Sequence, residues 1–358
     1  MVRVSRNHGL MINGALIMAG QSWPLQPSSL PAMRAAAGEP WQEAIVNFLE
    51  SWWNEKEQVA AKTSGSTGIP QFIELKKTAM VASAERTIEH FQLDPGTRAG
   101  LAMPVHFIGG MMMVVRAVVG QWNLTVVEPS SAPAFGSPQD FVALTPPQAR
   151  GWYEKSPTEW EACQTLLIGG GRASVDWMLN AEKGPRVFES FGMTETISHF
   201  AVREIHPKNE IHFQCLPGFE VRTAADGGMV VCAPNGAEIK TNDAIEAQGR
   251  GAFSWMGRLD EAVNSGGIKI HPAAVETELK PAVPGVFRCY GEPHEKWGEA
   301  LVLRIHAEQE PADANEERAR IFKWAKHHLP PHHAPKRIEW LPLESTWTGK
   351  WKRPRAHE

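Results

Sequence analysis

The sequence predicts an α/β protein with two domains. A large N-terminal domain with mixed sheets and packed helices covers residues 1–256, and a small α+β C-terminal domain covers residues 257–358. Three observations support this fold class: short apolar strands recur, helical patterns separate several of them, and the character of the sequence changes near Trp255. With 358 residues, 42% of them hydrophobic, the chain is long enough for more than one buried core.

The clearest helix of the predicted N-terminal domain covers residues 78–93. Apolar side chains recur there with helical spacing, and Asp94-Pro95-Gly96 ends the run. The predicted strands are short apolar runs bounded by glycine, proline or polar residues: RAGLAMPV, NLTVVEP, DFVALTP, QTLLIGG and PRVFESFG.

The apolar run GLMINGALIMAG near the N-terminus allows two interpretations. Two arginines precede it, as in a signal peptide, but Asn13-Gly14 stands between two apolar triplets. Asn-Gly is a strong signal for a two-residue β-hairpin turn, which needs positive φ at both positions. We therefore predict a hairpin here rather than an export signal.

The character of the sequence changes around Trp255 to Asp260, and the predicted C-terminal domain begins there, at residue 257. Its elements are a helix in AAVETELK, a strand in ALVLRIHA, a second helix in ERARIFKWAKHHL and a basic tail. About one hundred residues with such elements form a compact unit of their own.

Composition excludes several classes of function. The formal net charge is −4, which does not suggest a protein that binds nucleic acid or a membrane surface. The most apolar segment, residues 107–115, is far shorter than the ~20 residues of a membrane span, and Arg116 follows it. The four cysteines contain no Cys-x-x-Cys pair and indicate buried, reduced thiols. We expect a soluble cytoplasmic protein, with a homodimer as one expectation for its oligomeric state.

The stretch TSGSTG at residues 63–68 has the composition of a phosphate-binding loop. Glycines let backbone N–H groups approach an anion, and small hydroxyl side chains add hydrogen-bond donors. It is not a Walker motif, because Ile69-Pro70 follows where that motif has Lys-Ser/Thr. GGGRAS at residues 169–174 likewise fails the dinucleotide-binding pattern. Alone, TSGSTG could equally be a solvated turn.

Three further motifs follow in order: ESFGMTET at residues 189–196, WMGRLDEAVNSGGIKIHP at 255–272 and TWTGKWKR at 346–353. Together with TSGSTG they resemble the adenylate-forming superfamily, which includes acyl-CoA synthetases, nonribosomal adenylation domains and luciferases. The resemblance covers nearly the whole chain from residue 63 to 353. It implies a carboxylate activated by ATP as an acyl-adenylate and then transferred to the thiol of coenzyme A, with Mg²⁺ as the metal cofactor.

The resemblance also implies roles for particular residues. Glu195 would bind Mg²⁺ and Thr194 would contact the α-phosphate. Asp243 and Arg258 would contact the ribose hydroxyls. The β- and γ-phosphates would lie on Thr63, Ser64, Gly65, Ser66, Thr67 and Gly68. The adenine would lie against Gly169, Gly170, Gly171, Ser190, Phe191 and Gly192.

Lys350 is the residue that the resemblance assigns to adenylation, because an ammonium can bridge the carboxylate and the α-phosphate. The alternative is an ordinary lysine in a frayed basic tail. In this superfamily the C-terminal domain is a mobile lid that rotates between the two half-reactions. Asp260 matches its hinge, for which a cap or turn residue is the alternative. Gly266, Gly267 and Lys269 would form the face that admits the thiol.

Several stretches resemble the o-succinylbenzoate–CoA ligases of menaquinone synthesis in their short bacterial form, among them MPVHFIGGMMMVVRAVVG and GMTETISHFAVRE. That acid keeps one carboxylate free while the other is activated. His106 matches the family's position beside the acyl pocket. Arg116 is the candidate partner of the free carboxylate, with Ser198 and His199 as further pocket residues. Alternatively, Arg116 caps a surface helix and His199 is a satisfied core histidine.

Two departures from the superfamily pattern keep alternatives open. The phosphate loop ends Pro70-Gln71 rather than Pro-Lys, and we expect Lys76 or Lys77 to supply the missing charge. Asn242 precedes Asp243 where glycine is usual, and asparagine tolerates positive φ. The alternatives are another aryl- or acyl-CoA ligase and, in a different class, a catalytically decayed nucleotide-binding protein.

Overall fold

The computed structural model describes residues 14–62, 72–172, 177, 183–344 and 351–354. The chain forms two compact units, Met1–Gly218 and Phe219–Glu358. This division lies earlier than the predicted boundary at residue 256, because the strands between residues 220 and 258 pair with one another in the second unit. The separate movement of residues 257–358 stays a prediction.

The first unit contains both parallel and antiparallel strands. Its strands are β1 (Ala15–Met18), β2 (Gln21–Pro24), β3 (Gln58–Lys62), β4 (Phe72–Lys76), β5 (Arg98–Leu101), β6 (Asn123–Val126), β7 (Phe141–Leu144), β8 (Thr165–Ile168), β9 (Arg186–Met193), β10 (Ser198–His206) and β11 (Phe213–Cys215). Its α-helices are α1 (Leu30–Ala36), α2 (Pro40–Trp53), α3 (Lys77–Phe91), α4 (Ile108–Gly120), α5 (Pro146–Lys155) and α6 (Pro157–Ala162). All five strands and the helix predicted here are confirmed, so the mixed α/β fold class is confirmed as well.

The large sheet of this unit runs in the order β11-β10-β9-β8-β7-β5-β6-β1-β2. Strands β9, β8, β7, β5, β6 and β1 are parallel neighbours, and antiparallel strands flank them on both sides. The winding reverses at β5, since β6 lies on one side of it and β7 on the other. Ligands of open α/β sheets bind beyond the carboxyl ends of the strands at such a reversal. The segments that follow β5, β8 and β9 therefore lie at the edge where a ligand is expected.

The N-terminal hairpin is displaced from its predicted position. β1 pairs with β2 on one side and with β6 on the other, so neither edge is open to the residues before Asn13. The turn lies instead at Ala19-Gly20, where both residues have positive φ, 51° and 75°. Asn-Gly was the stronger local signal, but the pairing of β1 with the distant strand β6 decides the register.

Strands β3 and β4 form a separate antiparallel hairpin that brackets residues 63–71. Lys62 and Phe72 are directly paired, so the two ends of that segment are held side by side. Lys62 also forms a bridge with Phe107, just before α4. The described flanks thus fix where the predicted phosphate loop begins and ends, while the loop itself lies outside the described residues.

Helix α4 passes through the interior of the first unit. Met111, Met112 and Met113 are all buried, and so is Arg116 on the same helix. A helix that is apolar on all sides is typical of a core position. Among the residues described, none of the helices is long and apolar enough to cross a membrane.

The second unit combines an antiparallel meander with a small α+β body. The strands are β12 (Glu220–Thr223), β13 (Gly228–Cys232), β14 (Glu238–Gln248), β15 (Ala252–Arg258), β16 (Val263–Ser265), β17 (Ile268–Ile270), β18 (Phe287–His294), β19 (Gly298–Ile305) and β20 (Arg337–Trp340), and the helices are α7 (Pro272–Leu279) and α8 (Ala314–His328). β12 to β15 pair in sequence order. The remaining strands form a sheet in the order β17-β16-β19-β18, with β20 parallel to β19.

Helices α7 and α8 pack against this second sheet around one hydrophobic core. The core includes Val275 and Leu279 from α7, Ile321 from α8, and Leu303 and Ile338 from the strands. Its buried members all come from Val263 and the part of the chain that follows it. The helices and the strand predicted for residues 257–358 are confirmed, and they share a core.

Candidate active site

The carboxyl end of β8 brings a glycine run against the end of β9. The Ser190 hydroxyl donates to the carbonyl oxygen of Ile168 at 2.9 Å. A Cβ on Gly169 would lie 2.9 Å from Ser190 Oγ, closer than side-chain atoms normally approach, and Gly170 has φ +76°. The predicted adenine residues from the two strands, Gly169, Gly170 and Ser190, are thus brought together in space.

The aromatic ring of Phe191 is held by its neighbours on β10 and β11. Its centroid lies 5.7 Å from that of Phe200 and 5.3 Å from that of Phe213, both in edge-on geometry. The Arg203 guanidinium lies 4.7 Å from the Phe213 ring centroid and donates to the buried Glu189 carboxylate at 2.8 and 2.5 Å. Sequence reasoning missed Arg203 and Glu189, because only strand pairing reveals that they support the ring.

The turn between β9 and β10 carries Thr194 and Glu195. The backbone N–H of Met193 donates to Thr196 Oγ1 at 3.0 Å, and the same hydroxyl lies 2.6 Å from the Ser198 carbonyl oxygen. Ile197 and Ser198 have positive φ, 62° and 128°. Non-glycine residues in such conformations are strained and persist only where neighbouring structure holds them. Glu195 is therefore an exposed carboxylate on a constrained turn.

Close approach of β9 and β10 fixes the base of this turn. Gly192 pairs with His199, and a Cβ on Gly192 would overlap the carbonyl oxygen of Ser198. Glycine is thus required at this predicted site position for a backbone reason, whatever its role toward a nucleotide.

Arg116, Ser198 and His199, which the sequence proposed as one pocket, form one hydrogen-bonded cluster. The Arg116 Nη2 atom donates to Ser198 Oγ at 3.0 Å and contacts His199 Nδ1 at 3.3 Å. The Nε atom donates to Thr87 Oγ1 at 3.2 Å. Arg116 is only 2% exposed and lies in the middle of α4. The alternative that it caps a surface helix is therefore wrong.

This cluster carries a buried positive charge that no described carboxylate balances. Among the ion pairs of the described residues, none involves Arg116. Burial lowers the pKa of Arg116 to about 9, so it stays protonated at neutral pH. Burial, followed by the charge of Arg116, lowers the pKa of His199 well below 6.5 and keeps the imidazole neutral. A buried, unpaired charge is costly, and an anion placed against it would remove that cost.

The contact with Arg116 also fixes the tautomer of His199. A guanidinium can only donate, so Nδ1 of His199 must accept and the proton lies on Nε2. Within the described part of the chain, the buried Nε2 has no hydrogen-bond partner. The alternative of a fully satisfied core histidine is therefore wrong, and Nε2–H is a second donor available for an anion.

His106 lies where the segment after β5 meets the end of β3. The backbone N–H of Lys62 donates to the His106 carbonyl oxygen at 3.1 Å. Burial and the nearby Lys62 lower the pKa of His106. His106 is thus adjacent to the start of residues 63–71, although Thr63 to Gly68 themselves are outside the described residues.

Lys77 cannot supply the charge that Gln71 lacks. Its Nζ donates to the carbonyl oxygen and to Oδ1 of Asn54, at 2.8 and 3.0 Å, and so closes the C-terminal end of α2. The side chain is buried in this role. Lys76, the other expected substitute, is exposed at the end of β4.

In the second unit, Asp243 and Arg258 are direct cross-strand partners on β14 and β15. Arg258 Nη1 lies 3.9 Å from Asp243 Oδ2. The Trp255 indole N–H donates to Asp243 Oδ1 at 2.9 Å, and the Asp243 backbone N–H donates to Thr241 Oγ1 at 3.1 Å. The predicted ribose partners are brought together, and Trp255 orients the carboxylate. The sequence gives no signal for that role, which depends on strand register.

The predicted hinge and thiol face are also ordered. Asp260 is exposed in a short 3-10 turn, Leu259–Glu261, with its Oδ1 3.5 Å from Arg258 Nε. Gly266 and Gly267 form the tight turn between β16 and β17, with φ of 61° and 81° that favour glycine. Lys269 is exposed on β17.

The chain next to Lys350 is anchored rather than frayed. The Lys352 N–H donates to the Glu344 carbonyl oxygen at 2.8 Å, and the Trp351 ring lies 4.7 Å from that of His306. Arg353 forms ion pairs with Glu261 and Glu276. Lys350 itself lies outside the described residues, but a frayed tail is wrong for residues 351–353, which make these contacts.

Comparison with known proteins places these features in a family. The family described as AMP-binding enzyme matches residues 28–236 of this chain. The chain belongs to the AMP-binding enzyme family. This membership confirms the predicted superfamily and, at the level of the family, the predicted class of AMP-forming acid–thiol ligases.

Individual relatives of this AMP-binding enzyme are distant. It is 23% identical over 328 residues to 2-succinylbenzoate–CoA ligase from Staphylococcus aureus (strain MRSA252), covering 82% of this chain and 65% of that protein. It is 31% identical to an acyl-CoA synthetase (AMP-forming)/AMP-acid ligase II-like protein from Dyadobacter fermentans, with 88% of this chain and 93% of that chain covered and a TM-score of 0.59.

A third relative is the O-succinylbenzoate coenzyme A synthetase from Bacillus subtilis, solved in complex with ATP and magnesium ion. It has a TM-score of 0.69 and 21% identity to this AMP-binding enzyme, over 84% of this chain and 69% of that one. At this identity the likeness shows the fold alone, and it confirms the predicted fold of the family.

Proposed function

We propose that this protein is an ATP-dependent carboxylic acid–CoA ligase that acts through an acyl-adenylate. The acid we propose is o-succinylbenzoate, converted to o-succinylbenzoyl-CoA with release of AMP and pyrophosphate, as in menaquinone synthesis. The observation that carries the choice of acid is the buried, unbalanced Arg116 beside Ser198 and the free N–H of His199.

The charge of the Arg116 cluster is complementary to an acid that has a second carboxylate. One carboxylate must remain free to react, so an acid that also neutralises Arg116 needs a second anionic group. Buried charges are stable when paired and hydrogen-bonded, and a planar guanidinium matches a carboxylate. The Ser198 hydroxyl beside Arg116 would add a donor to the same anion, and His199 would line the site. The apolar α4 side chains on either side of Arg116 suit an aromatic ring.

The nucleotide would be bound by the residues that the resemblance assigns to it. Thr63 to Gly68 would hold the outer phosphates, and Thr194 the α-phosphate. Gly169 to Gly171, with Ser190, Phe191 and Gly192, would surround the adenine, for which a ring fixed by two aromatic neighbours offers a stacking surface. Asp243, oriented by Trp255, and Arg258 would bind the ribose hydroxyls.

Glu195 fits a magnesium site in which the phosphates of the substrate supply most of the non-water ligands. Mg²⁺ keeps several waters and usually takes one or two carboxylates plus substrate phosphates. An exposed carboxylate on a constrained turn meets that requirement without further acidic residues. When bound, the ion would neutralise charge on the phosphates and so favour attack by the carboxylate.

Lys350 would complete the first half-reaction. The substrate carboxylate and the α-phosphate are both anions, and their approach requires a cation between them. We propose that the C-terminal lid delivers this lysine, with Asp260 as its hinge, and then rotates so that Gly266, Gly267 and Lys269 admit the thiol of coenzyme A.

A panel of carboxylic acids tests this function directly. ATP-dependent pyrophosphate release, with and without coenzyme A, should be fastest with o-succinylbenzoate. If benzoate or medium-chain fatty acids react as well, the chain is another aryl- or acyl-CoA ligase. If ATP binds but no acid releases pyrophosphate, the chain is a decayed nucleotide-binding protein, an alternative that Gln71 keeps open.

A further inference from the structure

Arg353 is partly buried between two glutamates in the second unit. Its Nε lies 2.8 Å from Glu261 Oε2, while Nη1 contacts both Glu276 Oε1 and the carbonyl oxygen of Cys289. The Arg353 and Glu276 side chains are 13% and 10% exposed. Burial alone would lower the pKa of Arg353, but the two carboxylates outweigh it and raise that pKa.

The cluster joins three separate pieces of the second unit. Glu276 lies on α7 and also accepts the backbone N–H of Cys289 on β18 at 2.7 Å. Glu261 ends the 3-10 turn that contains Asp260. Arg288 is also close to this cluster. Burial lowers the pKa of Arg288, the Glu276 carboxylate opposes that change, and the Arg353 charge adds to it. One guanidinium therefore ties the C-terminal segment both to the core and to the turn of the proposed hinge.

Chain geometry limits how far Lys350 can lie from this anchor. Lys350 precedes Arg353 by three residues in the sequence, and three residues of fully extended chain span at most about 11 Å. The contact of Trp351 with His306 and the hydrogen bond from Lys352 N–H to Glu344 restrict the same segment further.

We propose that Arg353 is a positioning residue for the adenylating lysine. It fixes the segment that carries Lys350 to the body that carries the Asp260 turn, so that the lysine moves with that turn rather than as a free tail. This inference rests on the proposed function, in which Lys350 acts only in adenylation. Loss of the anchor should then impair adenylation and spare the thioester step.

The test compares Arg353→Met with a matched control. Arg304→Met removes another ion pair of the same unit, to Glu339 at 2.6 Å with both side chains 12% exposed, and leaves Arg353 and its two glutamates in place. Pyrophosphate release from ATP and o-succinylbenzoate without coenzyme A measures adenylation. Thioester formation from supplied o-succinylbenzoyl-AMP and coenzyme A measures the second step.

We expect Arg353→Met to slow adenylation about 10- to 100-fold, because small misplacements of a reacting group have effects of that size. The rate of the thioester step should change by less than about 3-fold, because Lys350 takes no part in that step and its displacement does not misplace a reacting group there. Arg353→Lys should recover part of the loss, since it keeps a charge but not the fork that bridges two carboxylates. Arg304→Met should lower the unfolding temperature and leave the ratio of the two rates unchanged.

A second readout needs no substrate. Trypsin cleavage after Lys350, followed by mass spectrometry of the loss of residues 351–358, should be slow in the wild type and in Arg304→Met and fast in Arg353→Met. Should Arg353→Met fail to fold, Arg353→Lys and Glu261→Gln, which each retain one ion pair, carry the same comparison.

Equal loss of both half-reactions, or equal cleavage of wild type and Arg353→Met, overturns the inference. If the wild type releases no pyrophosphate with any acid, the proposed function fails instead, and the trypsin comparison still decides whether Arg353 anchors the segment.

Discussion

The guanidinium of Arg116 donates to Nδ1 of His199 at 3.3 Å, with both side chains buried in the first unit. The contact holds the imidazole in one tautomer and leaves Nε2–H without an acceptor among the described residues. The cluster therefore holds a buried cation without a carboxylate among the described residues, and a neutral imidazole with one unused donor. A bound carboxylate is the simplest chemical complement to this pair.

Replacing Arg116 with methionine should remove the preference for an acid with a second carboxylate. We expect kcat/KM for o-succinylbenzoate to fall about 10- to 100-fold, as for a charged hydrogen bond. The matched substrate is 3-benzoylpropanoate, which lacks only the ring carboxylate, and its kcat/KM should hardly change. Steady-state kinetics with the two acids checks this.

Stability provides the control for that variant. Ligand-free Arg116→Met should unfold at the same temperature as the wild type or higher, because it no longer buries an unbalanced charge. An equal loss of kcat/KM for both acids, together with a lower unfolding temperature, would indicate a purely structural arginine.

His199 should make stability depend on pH in a defined direction. Burial and Arg116 hold its pKa well below 6.5 in the native state, whereas the unfolded chain takes up the proton near that value. Unfolding then binds a proton, so stability falls as the pH drops below about 6.5, with a limiting slope of about 1.4 kcal/mol per pH unit.

The contribution of His199 is isolated by comparison with His199→Gln. Urea unfolding should show that the variant loses less unfolding free energy than the wild type when the pH falls from 7.5 to 5.5. Other buried histidines contribute equally to both proteins, so the difference measures His199. Identical losses would mean that His199 titrates normally in the native state.

The sequence predicted elements whose signals are local. The helix α3 and the strands β5 to β9 follow from spacing, stop signals and the residues that bound each run. The cluster of Arg116, Ser198 and His199 was also proposed as one pocket, but only through resemblance. The burial of Arg116, and its lack of a carboxylate partner within the described ranges, depend on how α4 packs, which no local pattern encodes.

Other features depend on pairing between distant strands. The hairpin at Ala19-Gly20 replaces the one predicted at Asn13-Gly14, since β6 occupies the second edge of β1. Lys77 was expected to serve the phosphate loop, yet it closes α2 through Asn54. Trp255 reaches Asp243 only because β14 and β15 pair in one particular register.

The contact between Trp255 and Asp243 predicts how the ribose is recognised. Asp243→Ala should raise KM for ATP about 10-fold or more, since it removes a charged hydrogen-bond acceptor. Asp243→Ala should raise KM less for the ATP analogue that already lacks the hydroxyl bound by Asp243 than for ATP itself. Initial-rate measurements with ATP, 2′-deoxy-ATP and 3′-deoxy-ATP check this.

Trp255→Phe is the matched variant for that experiment, because it keeps an aromatic ring and loses only the N–H donor to Asp243. Its KM for ATP should rise less than that of Asp243→Ala. Equal KM values for ATP in all three proteins would remove Asp243 from the nucleotide site.

Lys350 should be required for one half-reaction only. Lys350→Ala is expected to abolish acyl-adenylate formation, because no other cation would bridge the two anions, and to spare thioester formation from supplied o-succinylbenzoyl-AMP. Pre-steady-state assays of the two steps check this. Equal loss of both would contradict separate faces for the two reactions.

The central claim is that this chain converts an acid into a mixed anhydride with AMP. Mass spectrometry of the protein incubated with ATP, Mg²⁺ and o-succinylbenzoate, with coenzyme A omitted, tests it most directly. We predict bound o-succinylbenzoyl-AMP that disappears when coenzyme A is added and is replaced by o-succinylbenzoyl-CoA. Bound ATP that persists unchanged, with no adenylate from any acid of the panel, would contradict the account.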